Sequence, residues 1–433
     1  MPIKIGLLGL GTVGQGVVQV LAANQLEIAR RAGREIMVVK ACIRDLDKIR
    51  NVSIPLTTNP LDIIDDPDID IVVELAGGIE PARTWILRAI AHGKQIVTAN
   101  KALLAHHGND IFQKAHQKGV MVAFEAAVGG GIPIIKTLRE GLSANHIEWL
   151  AGIVNGTCNF ILTEMYAKGE SFDEALKEAQ ASGFAEADPA FDIEGIDAAH
   201  KLSIMAAIAF GVPIAFDSVY VEGITRVSKE DIDYAKTLGY RIKLLAIAKK
   251  SAAGLELRVH PTFIQEDNLL AHVNGVMNAV LVKGDVVGQI LSYGAGAGSL
   301  PTASAVVSDL VDVTRMATAD PQNRVPHLAF QPDCLQDIPV MPIEAVESAS
   351  YLRLNAEDRP GVLAAIASIF AREHISIEAL IQKEPLPSSP WAKIVMVTHK
   401  VKEGALSRAL LEIEDLDFVQ GSVQRIRIEK FDT

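Results

Sequence analysis

The chain reads as an α/β protein in three parts: an N-terminal doubly wound parallel sheet, an α+β middle and a C-terminal ferredoxin-like unit. Three observations predict this. Over residues 1–128 short apolar runs alternate with helical spacing, the pattern of βαβ units in a parallel sheet. A glycine-rich turn, Gly9-Leu10-Gly11-Thr12-Val13-Gly14, joins the first run to the first helix. From Tyr351 onward the order strand, helix, strand, strand, helix, strand is the split βαβ arrangement.

Taken in order, Ile3–Leu8 is a strand, followed by helical spacing from Val13 to Arg31. Ile36–Cys42, Ile69–Leu75, Gln95–Thr98 and Val120–Phe124 read as further strands, with helices at Ala82–His92 and Lys101–Lys118. The pattern changes at Gly129-Gly130-Gly131. A helix is predicted from Pro133 to Leu142, with proline in its first turn. Ser171-Phe-Asp-Glu174 is a capping box, and the helix it opens stops at Gly183. An alanine-rich helix covers Asp197 to Phe210, and strand-like stretches fill much of 255–292. Residues 331–348, with three prolines by 342, read as a linker. In the last part the strands are Tyr351–Leu354, Ser376–Gln382, Lys393–Lys400 and Ser422–Ile428, and the helices Gly361–Glu373 and Glu403–Glu414. The segment from about 290 to 330 is expected to return to the first domain. The expected domains are then 1–130 with 290–330, 131–290 and 349–433.

Composition excludes several function classes. The 433 residues carry a net charge of −12 and no long basic run, which argues against nucleic acid as a partner. Cys42, Cys158 and Cys334 are widely spaced and odd in number, so a disulfide framework is not expected and a reducing, cytoplasmic setting is. The N-terminus lacks a cationic start and a small-residue cleavage site. Mean hydropathy is +0.23, yet the apolar stretch from Leu202 to Phe216 is too short to cross a bilayer and holds Gly211 and Pro213. No membrane partner is therefore expected.

The glycine turn follows a strand and opens a helix, the context a dinucleotide fingerprint requires of a Rossmann-type domain. Gly9 permits the tight turn, Gly11 lets amides approach a pyrophosphate, and Gly14 lets helix and strand pack closely. At the end of the second strand Arg44 suits a 2′-phosphate and Asp45 a 2′-hydroxyl. Arg44 favours NADP(H), and NAD(H) is also admitted. Arg44 as a solvated surface charge is the competing reading.

Lys101, in Thr98-Ala-Asn-Lys101, follows the fourth strand at the end where ligands bind in such sheets. Position alone allows an electrostatic clamp, a proton donor or merely the first residue of the next helix. Glu186, Asp188, Asp192, Glu194 and Asp197 crowd into a short segment ahead of Lys201. Asp197 and Lys201 are four apart, so they share a helix face, and that face continues into Ile204, Met205 and Ile208. Burial would lower the lysine pKa and the carboxylate would raise it, a balance suited to proton transfer. An ordinary surface pair has the same spacing. The acids would equally suit a metal or a substrate ammonium. The histidines show no metal-motif spacing, and His106, His107 and His116 read as a solvated helix face. A second glycine-rich turn, Tyr293 to Thr302 around Gly298, suits close approach to a cofactor or a hinge.

GLGTVG, TANK, EAAVGGGIPI, GIVNGTCNFIL, AEADPAFDIEGIDAAHKL and GAGAGSLPTASAVVSDL occur in this order. Together they resemble the homoserine dehydrogenase family, in its monofunctional form with a C-terminal ACT domain, over essentially the whole chain. The resemblance implies interconversion of L-homoserine and L-aspartate 4-semialdehyde with NAD(P)(H), on the branch toward threonine and methionine. It implies Lys201 as the catalytic lysine, with Lys101 beside nicotinamide and substrate. It implies Glu186, Asp192, Asp197, Gly156 and Thr157 as substrate contacts. It also implies a sodium ion held at Glu125, Val128, Gly130 and Ile132, a hard-oxygen set. The middle domain would then be catalytic and dimerising, in a homodimer or homotetramer.

One departure from the family pattern is Phe184, where tyrosine is usual; a hydroxyl near the substrate is missing. Asp358-Arg-Pro-Gly-Val-Leu363 resembles the first turn of ACT domains, which implies an amino-acid effector, threonine, or a module that only pairs subunits. Two other readings compete: a non-catalytic sensor of dinucleotide and amino acid, and an NADP-dependent dehydrogenase of another amino-acid-derived aldehyde.

Overall fold

A computed structural model describes residues 1–47, 52–383 and 391–431. The N-terminal strands are β1 (Ile3–Leu8), β2 (Ile36–Cys42), β3 (Leu56–Thr57), β4 (Ile71–Glu74), β5 (Gln95–Thr98) and β6 (Val122–Ala123). They form one parallel sheet in the order β3-β2-β1-β4-β5-β6, so the connections reverse direction between β1 and β4. Around it lie α1 (Thr12–Ala23), α2 (Gln25–Ala32), α3 (Leu61–Ile64), α4 (Ala82–Ala91) and α5 (Lys101–Lys118). The helical stretch from Val13 is two helices rather than one. Asn24 leaves helical geometry at φ −114°, and α2 turns a new apolar face, Ile28 and Ala32, to the core.

The middle region begins with α6 (Ile134–Lys136), which continues as one π turn, Thr137–Gly141, rather than the α-helix predicted to Leu142. The Thr137 hydroxyl donates to the Pro133 carbonyl at 2.7 Å, a side-chain bond that competes with the regular ladder. There follow β7 (Ile147–Ile153), α7 (Gly156–Lys168), α8 (Phe172–Ala181), α9 (Ala190–Ile193), α10 (Ile196–Phe210), β8 (Tyr220–Val221) and α11 (Lys229–Thr237). Then come β9 (Tyr240–Ser251), β10 (Gly254–Gln265), β11 (Met277–Gly284), β12 (Gly288–Ala295) and α12 (Ser299–Met316). The capping box at Ser171 and Glu174 forms as its spacing requires. α12 packs on α1: the Ser299 hydroxyl donates to the Thr12 carbonyl at 2.8 Å, and Val306 and Leu310 share a core with Ile5 and Leu7.

The stretch read as a linker is a fixed strap. Its prolines withhold donors, but Gln336 donates to the Gly211 carbonyl, and Leu255 exchanges bonds with Pro339 and Met341. Beyond it lie β13 (Glu347–Glu357), α13 (Val362–Arg372), β14 (Ile377–Lys383), β15 (Trp391–Thr398), β16 (Val401–Lys402), α14 (Glu403–Glu414) and β17 (Val419–Glu429). The order β17-β13-β15-β14 is the ferredoxin-like one. This sheet is not closed on itself. β17 pairs in parallel with β10, Thr262 opposite Arg427 and Ile264 opposite Glu429, so the middle and C-terminal sheets form one sheet of 11 strands. No helix among the described residues is long and apolar enough to cross a membrane.

Candidate active site

The turn after β1 shows three different uses of glycine. Gly9 has φ +106°, and a Cβ there would lie 2.7 Å from the Leu75 backbone. A Cβ on Gly14 would lie 2.6 Å from the Gly9 carbonyl oxygen. A Cβ on Gly11 would meet no atom within 4 Å. Gly11 thus opens onto a pocket of about 620 Å³ lined by Gly9, Leu10, Thr12, Arg44 and Asp45. No side chain caps the α1 N-terminus, so its first amides remain available to a phosphate. The cradle therefore fits a dinucleotide. Gly14→Val is expected to destabilise the protein by about 1–3 kcal/mol through overpacking. Gly11→Val, at an ordinary φ of −80°, should leave stability within about 0.5 kcal/mol. It should nevertheless weaken dinucleotide binding roughly tenfold or more. Denaturant melts and a binding titration of the two variants separate the outcomes.

Beside this pocket lies a cleft of about 670 Å³, with Leu75 shared between them. It is walled by Val13, Lys101, Gly130, Gly156, Thr157, Glu186, Asp192, Asp197, Lys201 and Gly298, gathered from both domains. Lys101, from α5, and Lys201, from α10, both line it. Asn100 caps α5, accepting the Leu103 amide at 3.1 Å, and so starts that helix at Lys101. Gly195, in a left-handed conformation, starts α10, and Asp197 falls in its first turn.

Asp197 is the hub. Its Oδ1 lies 3.0 Å from Lys101 Nζ, and its Oδ2 accepts from Lys201 Nζ at 2.7 Å and Asn155 Nδ2 at 2.9 Å. Burial opposes its ionisation, but the Lys201 and Lys101 charges outweigh burial and hold the carboxyl below the usual range. Lys201 also donates to the Val154 carbonyl at 2.6 Å, which leaves one of its three N–H groups for a ligand. Asp192 Oδ1 accepts from Asn155 at 2.7 Å, and its Oδ2 lies 3.0 Å from the Thr157 hydroxyl. Glu186 stands on an exposed loop that lines the cleft, and Phe184 packs against Phe160 at a tilt of 55° with its side chain partly open to solvent. Next to Lys201, His200 is packed among His106, Phe191 and Phe216; burial, with His106 nearby, pulls its pKa down to about 4.

Val128 and Ile132 are buried, and Gly130 lines the cleft. Glu125 is buried, and its two carboxylate oxygens accept the Ile135 and Lys136 amides at 2.8 and 2.9 Å. Lone pairs remain on both oxygens, so this carboxylate, with backbone carbonyls, suits a hard monovalent cation. Among the described residues no three acidic, histidine or cysteine side chains gather as a metal site. Asp309 accepts the Glu125 amide at 2.8 Å; burial and the Glu125 charge push its pKa up to about 7.

Asn155 and Glu74 escaped the sequence reading. Asn155 is visible in sequence only as an N-cap before an apolar helix, yet its side-chain nitrogen spaces Asp192 from Asp197. Glu74 is fully buried and accepts the Ala76 and Gly77 amides and the Thr98 hydroxyl, which fixes the turn beside Lys101. Nothing in sequence separates Glu74 from a surface acid at a strand end.

Comparison with known proteins matches three family models. One described as homoserine dehydrogenase spans residues 133–311, its NAD-binding domain residues 9–125, and an ACT domain residues 350–418. A homoserine dehydrogenase of Pseudomonas aeruginosa is 57% identical over 99% of both chains. The crystal structure of one from Thiobacillus denitrificans is 63% identical, with TM-score 0.95 over 99% of this chain and 98% of that one. A hyperthermophilic archaeal homoserine dehydrogenase in complex with NADPH is 28% identical, with TM-score 0.62 over 72% of this chain and 98% of its own.

Proposed function

The chain belongs to the homoserine dehydrogenase family, and we propose that the cleft around Asp197 is where its oxidoreductase chemistry occurs. The observation that carries the assignment is Asp197 held between two lysines, one of which keeps a free donor facing the cleft. A dinucleotide held by its pyrophosphate at the glycine turn would supply or accept the hydride through its nicotinamide. In the direction of reduction, Lys201 donates a hydrogen bond to the aldehyde oxygen and passes it a proton as that oxygen gains charge. In oxidation Lys201 takes the hydroxyl proton back. Asp197 fixes the Lys201 ammonium, and Lys101 closes the nicotinamide side. Glu186 and Asp192 hold the substrate ammonium, with Gly156 and Thr157 shaping the wall behind it. A sensor has no use for a lysine buried on a carboxylate beside an open cleft, which favours the enzyme reading.

The finer points rest on separate observations. Arg44 at the mouth of the dinucleotide pocket supports NADP(H) over NAD(H). Glu125, with the carbonyls of Val128, Gly130 and Ile132, would hold sodium, whose charge would offset the buried carboxylate. The C-terminal unit would bind threonine as effector at the Asp358–Leu363 turn, in a homodimer or homotetramer.

Purified protein with aspartate semialdehyde is expected to consume NADPH faster than NADH at equal concentration, followed at 340 nm. Arg44→Ala should narrow that ratio. Added threonine should slow turnover. No consumption of either cofactor would reject the assignment, and indifference to threonine would leave the C-terminal unit structural.

A further inference from the structure

Lys243 is 2% exposed, in mid-strand on β9. A buried ammonium is costly unless paired, and here its partners are neutral. Nζ lies 2.5 Å from the Val273 carbonyl, 3.0 Å from Asn159 Oδ1 and 3.4 Å from Asn274 Oδ1. Asn159 Nδ2 also donates to the Val273 and Met277 carbonyls at 3.1 Å each, and the Thr163 hydroxyl oxygen accepts the Gly275 amide at 3.1 Å. One cation and two α7 side chains therefore hold the 273–277 loop from behind. The front of that loop is a wall of the catalytic cleft. Val276 and Asn278 line it, and the Val276 carbonyl oxygen sits 2.8 Å from where Gly156 would carry a Cβ. The loop and the start of α7 touch so closely that displacing one displaces the other.

We infer that Lys243 is a positioning residue: its buried ammonium pins the 273–277 loop against α7 and so sets the width of the substrate pocket. The inference rests on the cleft being the catalytic one. Among the described residues no carboxylate pairs with Lys243. Arg241 lies two residues back on the same strand face, Thr262 faces it across the β9–β10 pair, and His272 on the adjoining turn is exposed. Burial, with Arg241 adding, brings the Lys243 pKa down to about 7. Below that pH three donors meet three acceptors. Above it the neutral amine turns a lone pair toward one of them, and the grip weakens.

Lys243→Met keeps the stem and removes the donors. The expected result is a KM for aspartate semialdehyde raised on the order of tenfold, with kcat changed less than about threefold. The parent KM should rise between about pH 6 and 8, and the variant's should not. Amide hydrogen exchange over 273–278 should be faster in the variant, with NADPH binding retained. Unchanged exchange, or an unchanged KM and KM–pH profile in a folded variant, overturns the inference. If Lys243→Met does not fold, Asn274→Ala is scored by the same exchange and KM criteria. Turnover absent from the parent protein would count against the functional assignment instead; the exchange result stands apart from it.

Discussion

Lys201→Ala is expected to lower kcat by about 10²–10⁴ while the protein stays folded. Alanine is well tolerated in a helix interior, so the backbone of α10 has no reason to change. The electrostatics also survive, because Asp197 keeps Lys101 at 3.0 Å and Asn155 at 2.9 Å. What disappears is the donor that sits between the Val154 carbonyl, Asp197 and the cleft. Lys101 cannot replace it, because its ammonium lies on the other carboxylate oxygen of Asp197. An interaction made only as the oxygen gains charge should cost kcat and kcat/KM equally. Steady-state rates, NADPH titration and a circular dichroism melt test this. Undiminished turnover in a folded variant would remove Lys201 from the chemistry. Asp197→Asn is a harsher change for the fold, since it leaves two ammonium groups facing each other around a neutral amide.

How much of this was legible beforehand depends on the range of the interactions involved. The parallel sheet, the glycine turn and the Asp197–Lys201 pair are local patterns of strand, turn and helix spacing, and the residues display them directly. Asn155 was not legible, because its neighbours in sequence say only that it caps a helix, while Asp192 and Asp197 come to it from another segment. β9 was missed because Lys243 interrupts an apolar run, and the acceptors that make it tolerable lie 30 and 84 positions away. The capping box of Ser228 and Asp231, which opens α11, is a local signal of the same legible kind. The fusion of two sheets had no local signal at all. Residues 425–430, RIRIEK, alternate like a half-exposed edge strand, and the partners of Arg427 and Glu429 come from distant segments: Tyr220 and Glu222 at the end of β8, Glu403 of α14 and Arg258 of β10.

That fusion carries the second large expectation: Arg427→Met should destabilise the protein by about 3–5 kcal/mol. Arg427 is 1% exposed. It donates to Glu403 at 2.9 and 3.1 Å, to Glu222 at 2.6 Å and to the Tyr220 hydroxyl at 3.2 Å. Methionine would fill the space but leave Glu403, itself 2% exposed, with only Arg425 and Ser348 as side-chain partners among the described residues. Removing both sides, Arg427→Met with Glu403→Met, should recover part of the loss, because an apolar pair needs no compensation. The neighbouring pair points the same way with pH. Burial opposes ionisation of Glu429, but Arg258 and Lys249 outweigh it and hold its pKa at about 2, against an ordinary 4.5. The folded pKa is the lower, so this stabilisation is complete above about pH 5 and is lost as pH falls toward 2. Acid unfolding of the parent should therefore begin in that window. Glu429→Gln should lose part of this dependence and be less stable at neutral pH. Because Glu222 belongs to the segment that hydrogen-bonds to Ile193, beside Asp192, weakening Arg427 should loosen the acid-bearing turn of the cleft. A rise in KM for the amino-acid substrate before global unfolding would tie the C-terminal sheet to the site; simultaneous loss of both would confine Arg427 to stability.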